Sequence, residues 1–211
     1  MRTSGAQPRK RVRTAQGQRT YDRIVEAAAE LMHRDGVRAT SVEDVLDRCG
    51  AGKSQMYHYF TSKQDLLIAV IDWQWDLTRT ALGMTTKEID CWLDIQLWLR
   101  RVLEIQEANQ TPHRCPLGSL ASELAGVNQA ARTRLDAIFS EWTEYLASGL
   151  ARMKASGLLR ASADPHALAV VTLATVQGGT LLAHTHAQLS PLRAALTAAY
   201  EYLRSYAVSE P

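Results

Sequence analysis

A glycine turn set between two short helical patterns is the feature of this chain that most constrains its fold. The stretch from Gly50 to Phe60 opens with a tight Gly-Ala-Gly turn and continues as a short helix dense in polar and aromatic side chains. A short helix with its own capping signal, at Thr40 and Ser41, precedes the turn. A supporting helix, a turn and a second helix that can reach base edges predict a helix-turn-helix. The pattern therefore favours double-stranded DNA as a partner.

Composition allows a folded core and argues against membrane insertion or secretion. Apolar residues make up 46% of the 211 positions, and no apolar run approaches the roughly 20 residues that span a bilayer. The basic N-terminus lacks the apolar stretch of a secretion signal. The three cysteines, Cys49, Cys91 and Cys115, are widely spaced and form no CxxC pair, which disfavours a disulfide framework or a structural zinc site. We expect a cytoplasmic protein.

Positive charge is concentrated at the N-terminus. Residues 1–19 hold six basic residues and no acid, whereas residues 20–211 hold 18 basic and 22 acidic residues. A basic arm on a mildly acidic body suits a protein that touches phosphate at one end. A disordered tail that only aids solubility is the alternative. Beside a helix-turn-helix, contact with phosphate or the minor groove is favoured.

Beyond residue 19 the spacing of apolar residues is helical almost throughout. A capping box opens the second helix, formed by Thr40 with Glu43 or by Ser41 with Asp44. Thr85 with Glu88 caps the fifth helix in the same way. The patterns predict nine helices, at about 20–35, 41–50, 52–58, 62–83, 86–108, 116–125, 128–156, 165–184 and 190–207.

These helices predict an all-α protein with a basic arm and two helical parts. Residues 1–19 form a disordered basic arm, and residues 20–62 form a three-helix DNA-binding head. Residues 63–211 form a larger helical body. The fourth helix leaves the head and enters this body. We expect this body to control DNA binding.

The last two predicted helices are apolar on more than one side. The segment from Ala167 to Ala183 is apolar almost all round and includes Gly178 and Gly179. Such helices must be covered on more than one side. A monomer could bury them internally, but a two-fold interface fits better because a helix-turn-helix normally reads paired half-sites as a dimer. We expect a homodimer formed through these two helices.

Three segments of the first 70 residues carry a resemblance to a known family. They are Ile24-x-x-Ala27-Ala28-x-x-Leu31-Met32-x-x-x-Gly36, then Thr40-Ser41-Val42 with Val45 and Cys49-Gly50, then Lys53-x-x-Met56-Tyr57-His58-Tyr59-Phe60-x-Ser62-Lys63-x-x-Leu66-Leu67. In combination they resemble the TetR family of transcriptional regulators. The resemblance implies a dimeric repressor that a small organic effector, bound in the C-terminal domain, releases from a palindromic operator. The chain departs from the family pattern at Gly52, where serine or threonine often caps the recognition helix.

The resemblance also implies which residues meet DNA. Met56 and Phe60 point into the core of the head. Gln55 can pair with adenine, and Lys53 suits a guanine edge or a phosphate. For Tyr57 and Tyr59, packing between helices is the alternative. The expected DNA-contacting residues are Lys53, Ser54, Gln55, Tyr57, His58, Tyr59, Lys63, Thr40, Ser41, Arg13 and Arg19.

In the body, the resemblance implies an effector pocket among helices that carry five tryptophans. Trp92, Gln96 and Leu99 share a helical face, and an apolar cavity with a few amides and hydroxyls suits a flat or greasy ligand. Plain core packing is the alternative for each tryptophan. The expected pocket residues are Trp75, Trp92, Gln96, Leu99, Cys115, Leu120, Trp142, Tyr145 and Gln177.

Cys115 leaves a further alternative open. It is expected at a helix N-terminus beside His113 and Arg114, where the helix dipole and nearby cations lower a thiol pKa. It also opens a Cys-Pro-Leu-Gly stretch that resembles a subgroup of the family in which a cysteine near the pocket can sense oxidants or electrophiles. A thiol switch is therefore an alternative to a ligand-released repressor, and a small buried residue lining the pocket is the plainer interpretation.

No motif predicts an enzyme, a cofactor or a metal site. The chain has no phosphate-binding glycine loop, nucleophile elbow or HExxH motif. His184 and His186 do not share a helical face, which disfavours a metal site. A helical ligand-binding protein without sequence-specific DNA binding remains the third alternative.

Overall fold

The computed structural model describes residues 14–108 and 114–208, and within them the chain is helical. The described residues contain nine helices, which confirms the predicted all-α class. They are α1 (Ala15–Asp35), α2 (Val42–Cys49), α3 (Lys53–Tyr59), α4 (Lys63–Ala81), α5 (Trp92–Ala108), α6 (Pro116–Leu124), α7 (Gln129–Ala155), α8 (Pro165–His186) and α9 (Ser190–Arg204).

The chain divides into two compact units, one ending at Val70 and the other beginning at Ile71. The N-terminal unit thus extends beyond the predicted boundary at residue 62 because the first turns of α4 pack within it. Leu66, Leu67 and Val70 of these turns are buried. The helix α4 continues without a break into the C-terminal unit.

α1 begins five residues earlier than the sequence pattern predicted. The side chain of Thr14 accepts a hydrogen bond from the backbone N–H of Gly17 at 3.1 Å and caps the helix. Residues 15–19 are therefore helical, and their assignment to a disordered arm was wrong. Residues 1–13, which include Arg13, lie outside the described residues.

Local caps hold α2 and α3 in the helix-turn-helix order. Ser41 and Asp44 form the capping box of α2, so the Thr40–Glu43 alternative is not the one used. Gly50 ends α2 at a φ of 65°, in the left-handed region that favours glycine. Gly52 precedes α3 and has no side chain to cap it. Instead its backbone N–H donates to Oε1 of Gln55 at 3.0 Å.

α5 begins at Trp92, so its predicted start at residue 86 was wrong. Its first turn is capped from inside the helix, because Oδ2 of Asp94 accepts hydrogen bonds from the backbone N–H groups of Asp90 and Cys91. Asp94 is buried and pairs with Lys87, whose Nζ lies 2.6 Å from its Oδ1. Burial alone would raise the pKa of Asp94, but these donors hold it at about 2.

The remaining helix starts follow the sequence signals. Cys115, Asn128 and Asp164 cap α6, α7 and α8, respectively. α9 begins at Ser190, without a side-chain cap, and ends at Arg204 instead of near residue 207.

α8 packs against both α7 and α9. Gly179 makes this possible on one side, since a Cβ added there would lie 2.5 Å from the Cβ of Ala195 on α9. By length and composition α8 is a helix that could span a membrane, and 44% of its most apolar window is buried inside the protein. Four large apolar side chains of α8 stay exposed, namely Val170, Val171, Leu181 and Leu182.

Candidate nucleic-acid interface and ligand cavity

α3 has one buried side and one exposed side, as the sequence predicted. Met56 and Phe60 are buried, with Met56 completely inaccessible. The other side is exposed and carries donors and acceptors that can read base edges or bind phosphate. The exposed residues are Lys53, Ser54, Gln55, Tyr57 and His58.

The two tyrosines of α3 have different settings. Tyr57 is 57% exposed and keeps its predicted place on the outer surface. Tyr59 is half-buried, and its ring meets the ring of Tyr21 on α1 edge-to-face at 5.9 Å. Tyr21 also stacks on Phe60 at 5.1 Å. The packing interpretation therefore applies to Tyr59, which helps to hold α3 on α1.

Two of the predicted base-reading side chains have partners within the unit. The Nζ of Lys53 lies 3.2 Å from Oε1 of Glu43, and both side chains are exposed. An exposed ion pair of this kind is weak and exchanges readily for a phosphate or a base. The Oε1 of Gln55 accepts from Gly52, so the NH2 group of its amide is the part that can donate to a base.

The residues around α2 divide between surface and interior. Thr40 is only 2% exposed, and its hydroxyl donates to the carbonyl oxygen of Gly36 at 2.8 Å. This placement contradicts the expected contact of the Thr40 side chain with DNA, since the hydroxyl satisfies the end of α1. Ser41 is half-buried at the N-terminus of α2. The Nζ of Lys63 donates to the carbonyl oxygen of Val37 at 2.7 Å.

A bidentate ion pair joins α1 to α2. Nη2 of Arg48 donates to Oε1 of Glu30 at 2.8 Å, and Nε of Arg48 donates to Oε2 at 3.1 Å. The hydrogen bonds from Arg48 lower the pKa of Glu30 below its ordinary value. This exposed pair links the supporting helix of the helix-turn-helix to α1 and contributes little to stability. Arg19 is exposed on α1.

The C-terminal unit contains a cavity of about 220 Å³. Its wall is largely apolar and includes three glutamine amides and two threonine hydroxyls. Among the described residues of the wall, Arg114 is the single charged side chain. The lining residues are Gln74, Leu77, Thr78, Ala81, Leu82, Val102, Ile105, Gln106, Arg114, Cys115, Pro116, Trp142, Val176, Gln177 and Thr180.

Of the expected pocket residues, Cys115, Trp142 and Gln177 line this cavity. Trp75 lies behind the wall, where its ring is 5.6 Å from that of Trp142 and its indole N–H donates to Glu141. Leu120 is buried without lining the cavity.

Four other expected pocket residues lie outside the wall of this cavity, three of them because α5 turns a different face to it and the fourth, Tyr145, on α7. Nε2 of Gln96 donates to the hydroxyl of Tyr200 on α9 at 3.0 Å, and the ring of Trp92 meets that of Tyr200. Leu99 is buried outside the cavity wall, and the hydroxyl of Tyr145 donates to the backbone of Lys87. These four residues do not line this cavity, and their contact with an effector stays a prediction.

The lining residues that sequence reasoning missed follow helical spacing. Gln74, Leu77, Thr78 and Ala81 stand at i, i+3, i+4 and i+7, which makes one stripe along α4. On α5, Val102, Ile105 and Gln106 have the same relationship. Both stripes could have been identified from the sequence, because each has a glutamine or threonine at helical spacing from apolar residues.

The environment of Cys115 disfavours the alternative of a reactive thiolate. Its Sγ accepts a hydrogen bond from the backbone N–H of Gly118 at 3.3 Å, and Gln177 is a second partner. Burial raises the pKa of the Cys115 thiol and outweighs these hydrogen bonds, which act to lower it. The thiol is therefore protonated near neutral pH. His113, which was expected beside it, lies outside the described residues.

Two indole N–H groups of the C-terminal unit are buried without a hydrogen-bond partner among residues 14–108 and 114–208. They belong to Trp98 and Trp142. Only the second of these two tryptophans lines the cavity. In the same described ranges no cluster of histidine, cysteine or acidic residues could hold a metal ion.

Comparison with known proteins links both units to one family. A family model described as bacterial regulatory proteins of the tetR family matches residues 24–70. A second, described as the C-terminal domain of LmrA/YxaF-like transcriptional regulators, matches residues 93–198.

Individual relatives agree over most of the chain. An uncharacterized HTH-type transcriptional regulator in the lacX 3'region of Lactococcus lactis subsp. lactis is 30% identical over 168 residues, which are 77% of this chain and 82% of that protein. The HTH-type transcriptional repressor DhaR of Mycobacterium sp. (strain GP1) is 23% identical over 85% of this chain and 90% of its own length. The crystal structure of a TetR transcriptional regulator from Chloroflexus aurantiacus superposes with a TM-score of 0.82 at 26% identity, covering 92% of this chain and 98% of the other. The chain therefore belongs to the TetR family of bacterial transcriptional regulators, and its N-terminal unit contains the helix-turn-helix DNA-binding domain.

Proposed function

We propose that this regulator is a homodimeric repressor that a small organic ligand releases from a palindromic operator. The observation that carries the proposal is the continuity of α4. This helix begins at Lys63 in the N-terminal unit, and its stripe from Gln74 to Ala81 forms one wall of the cavity. A ligand in the cavity would therefore touch the helix whose first turns belong to the DNA-binding unit.

Release requires the ligand to favour one arrangement of α4. A ligand that bound both the DNA-competent and the DNA-incompetent state equally well would shift nothing. The repressor loses operator affinity only by the factor by which the ligand prefers the incompetent state, and operator DNA weakens ligand binding by the same factor.

The exposed surface of α8 supports a dimer. Val170, Val171, Leu181 and Leu182 expose large apolar side chains on this helix. An apolar face of this kind gains free energy when a second copy covers it. Two copies place two recognition helices on two half-sites, which is the reason for a palindromic operator. The name of the relative DhaR supports repression over activation. The proposed repressor acts in the cytoplasm.

At each half-site α3 enters the major groove. Gln55 donates its amide to adenine, Lys53 exchanges Glu43 for guanine or phosphate, and the side chains of Ser54, Tyr57 and His58 add polar contacts. Arg19 contacts phosphate, and the basic segment that includes Arg13 does the same.

Selection of bound sequences from random duplex DNA by the purified full-length protein tests this function. We expect an enriched palindrome with half-sites about one helical turn apart. No enrichment in the absence of ligand, at low salt, would contradict the proposal and favour a helical ligand-binding protein without sequence-specific DNA binding. The enriched duplex then serves to screen small molecules for release.

A further inference from the structure

An acidic side chain lies beside α3, on the surface that is proposed to meet DNA. Oε1 of Glu43, in the first turn of α2, is 3.2 Å from Nζ of Lys53, the first residue of α3. The two side chains are 63% and 69% exposed, respectively. Hydrogen bonds from its own backbone N–H and from Lys53 lower the pKa of Glu43 below its ordinary value. Glu43 is therefore ionised near neutral pH.

The capping box of α2 does not use the carboxylate of Glu43. Asp44 has that role, because its Oδ2 accepts hydrogen bonds from the backbone N–H and the hydroxyl of Ser41. An exposed acid at a helix N-terminus and an exposed ion pair each stabilise a fold only weakly. Close to DNA the Glu43 carboxylate is repelled by the negative phosphates. A favourable contact of this carboxylate with a base would offset the repulsion.

Lys53 brings the Glu43 carboxylate to the edges of the bases. In a helix-turn-helix the N-terminal residues of the recognition helix contact base edges in the major groove, and Lys53 is the first residue of α3. A carboxylate 3.2 Å from its ammonium group therefore lies within reach of the same base pair. When Lys53 turns to DNA, Glu43 loses its ion-pair partner. A negatively charged phosphate bound to Lys53 gives the carboxylate no replacement.

A G·C pair offers a partner to each of the two side chains. Guanine presents two acceptors in the major groove, O6 and N7, which lysine binds, whereas cytosine presents the N4 amino group, which donates to a glutamate. O6 and N4 are neighbours, because they share a Watson–Crick hydrogen bond of about 2.9 Å. This separation is similar to the 3.2 Å between the two side-chain atoms. The purine of an A·T pair offers lysine only one acceptor in the groove.

We infer that Glu43 is a specificity-determining residue that, together with Lys53, reads one G·C pair in each half-site. Lys53 donates to guanine, and the carboxylate that it leaves accepts a hydrogen bond from the amino group of cytosine. The inference rests on the proposed function, because it concerns the same contact of α3 with DNA. Of the two partners expected for Lys53, guanine is favoured over phosphate, since only the G·C pair also binds the carboxylate.

Selection of bound sequences from random duplex DNA, repeated with full-length variants, tests this inference. The natural chain should enrich one G·C pair per half-site at which Glu43→Ala lowers the preference over the other three base pairs by about tenfold. Lys53→Ala should lower the preference at the same base pair. Glu30→Ala is the matched control, because it removes a carboxylate from another exposed ion pair of α2, with Arg48. This control should leave every base preference unchanged.

A modified base tests the contact without changing the protein. N4-methylcytosine keeps the base pair but replaces the amino hydrogen that faces the major groove. In the enriched duplex it should weaken binding of the natural chain by about tenfold, and binding of Glu43→Ala by less than about threefold. Thermal unfolding verifies that each variant is folded, and the modified duplex tests the natural chain even if Glu43→Ala is not.

Three results would overturn the inference. The first is an unchanged G·C preference in folded Glu43→Ala, including a loss of affinity for all sequences alike, which would show a structural role only. The second is a preference for A·T at the position that depends on Lys53. The third is binding of the natural chain that N4-methylcytosine does not weaken.

The selection also distinguishes this inference from the proposed function. An enriched palindrome without a G·C position that depends on Glu43 would leave the proposed repressor standing and overturn the role of Glu43. An enriched sequence that has this position but is not a palindrome would leave the role of Glu43 standing and overturn the dimeric repressor. A protein that enriches no sequence would overturn both.

Discussion

The backbone N–H of Gly118 donates a hydrogen bond to Sγ of Cys115 across 3.3 Å. The thiol thus caps the first turn of α6 in the role that serine or threonine often has. Because burial raises the pKa of this thiol, Cys115 serves as a neutral part of the cavity wall. A switch based on a thiolate would need the opposite environment.

Replacing Cys115 by serine should leave the response to the inducer intact. Serine keeps an acceptor for the N–H of Gly118 and removes the reactive sulfur. We expect operator release by the inducer to change by less than about threefold, and alkylation of Cys115 in the folded protein to become fast only above the ordinary thiol pKa of about 8.5. Cys49→Ser, in the N-terminal unit, is the control. Loss of the response in Cys115→Ser alone would revive the thiol switch.

Replacing Gln55 by alanine should reduce base discrimination and also loosen the start of α3, because its Oε1 accepts from Gly52. Gln55→Glu separates the two effects, since a carboxylate keeps that acceptor and removes the amide donor. We expect both variants to lose about 1–3 kcal/mol of discrimination at one base pair, measured by competition between operator and single-base variants. Unchanged selectivity in both Gln55 variants would exclude Gln55 as a base-reading residue.

Replacing Arg19 by alanine should instead weaken binding to all duplexes and lower the dependence of affinity on salt concentration by about one unit of slope.

A charge on the exposed face of α8 should separate the dimer. Leu181 is 64% exposed in the isolated chain, so glutamate there costs the folded monomer little. In a dimer the carboxylate would be buried without a partner. We expect Leu181→Glu to sediment as a monomer at micromolar concentration and to lose operator affinity. Val127→Glu, at a 63% exposed site between α6 and α7, is the control. A fully dimeric Leu181→Glu protein would place the interface elsewhere.

Asp94 should make the stability of the C-terminal unit sensitive to acid. Its pKa is about 2 in the folded chain and about 3.9 in an unfolded one. The folded pKa is the lower of the two, so the stabilisation is complete above about pH 5 and is lost as the pH falls towards 2. We expect Asp94→Asn to lower the free energy of unfolding by roughly 2–3 kcal/mol at pH 7, as the difference between the two pKa values requires. Urea titrations should show that the difference in free energy of unfolding between Asp94→Asn and the natural chain becomes smaller below pH 4. A difference that stays constant with pH would contradict the role of the charge.

The two adjacent glycines of α8 should respond oppositely to alanine. At Gly179 the new methyl group would meet Ala195 and Leu192 of α9, so Gly179→Ala should destabilise the fold by about 1–3 kcal/mol. At Gly178 nothing lies within 4 Å, so alanine should stabilise the helix by up to about 1 kcal/mol. Chemical denaturation of both variants measures the difference. Equal effects at the two positions would show that α9 does not pack against Gly179 as described.

Signals that act within one helical turn could be interpreted from the sequence. Gly50 ends α2, and Asp164 with Pro165 starts α8, because a cap needs only residues up to four positions away. The short range of capping signals also explains why the predicted start of α5 at residue 86 was wrong. The Thr85–Glu88 pattern is locally adequate, but buried Asp94, paired with Lys87, caps a later start.

The chain alone therefore determined the helical class, the order of the helix-turn-helix and most of the helix ends, since these depend on spacing and on neighbours along the chain. The tertiary structure was needed to choose which face of α5 meets Tyr200 and which meets the cavity, and whether Gly178 or Gly179 touches α9. Those choices depend on contacts between residues far apart in sequence, such as Gln96 with Tyr200. A periodic pattern identifies an apolar face but does not identify the helix that covers it.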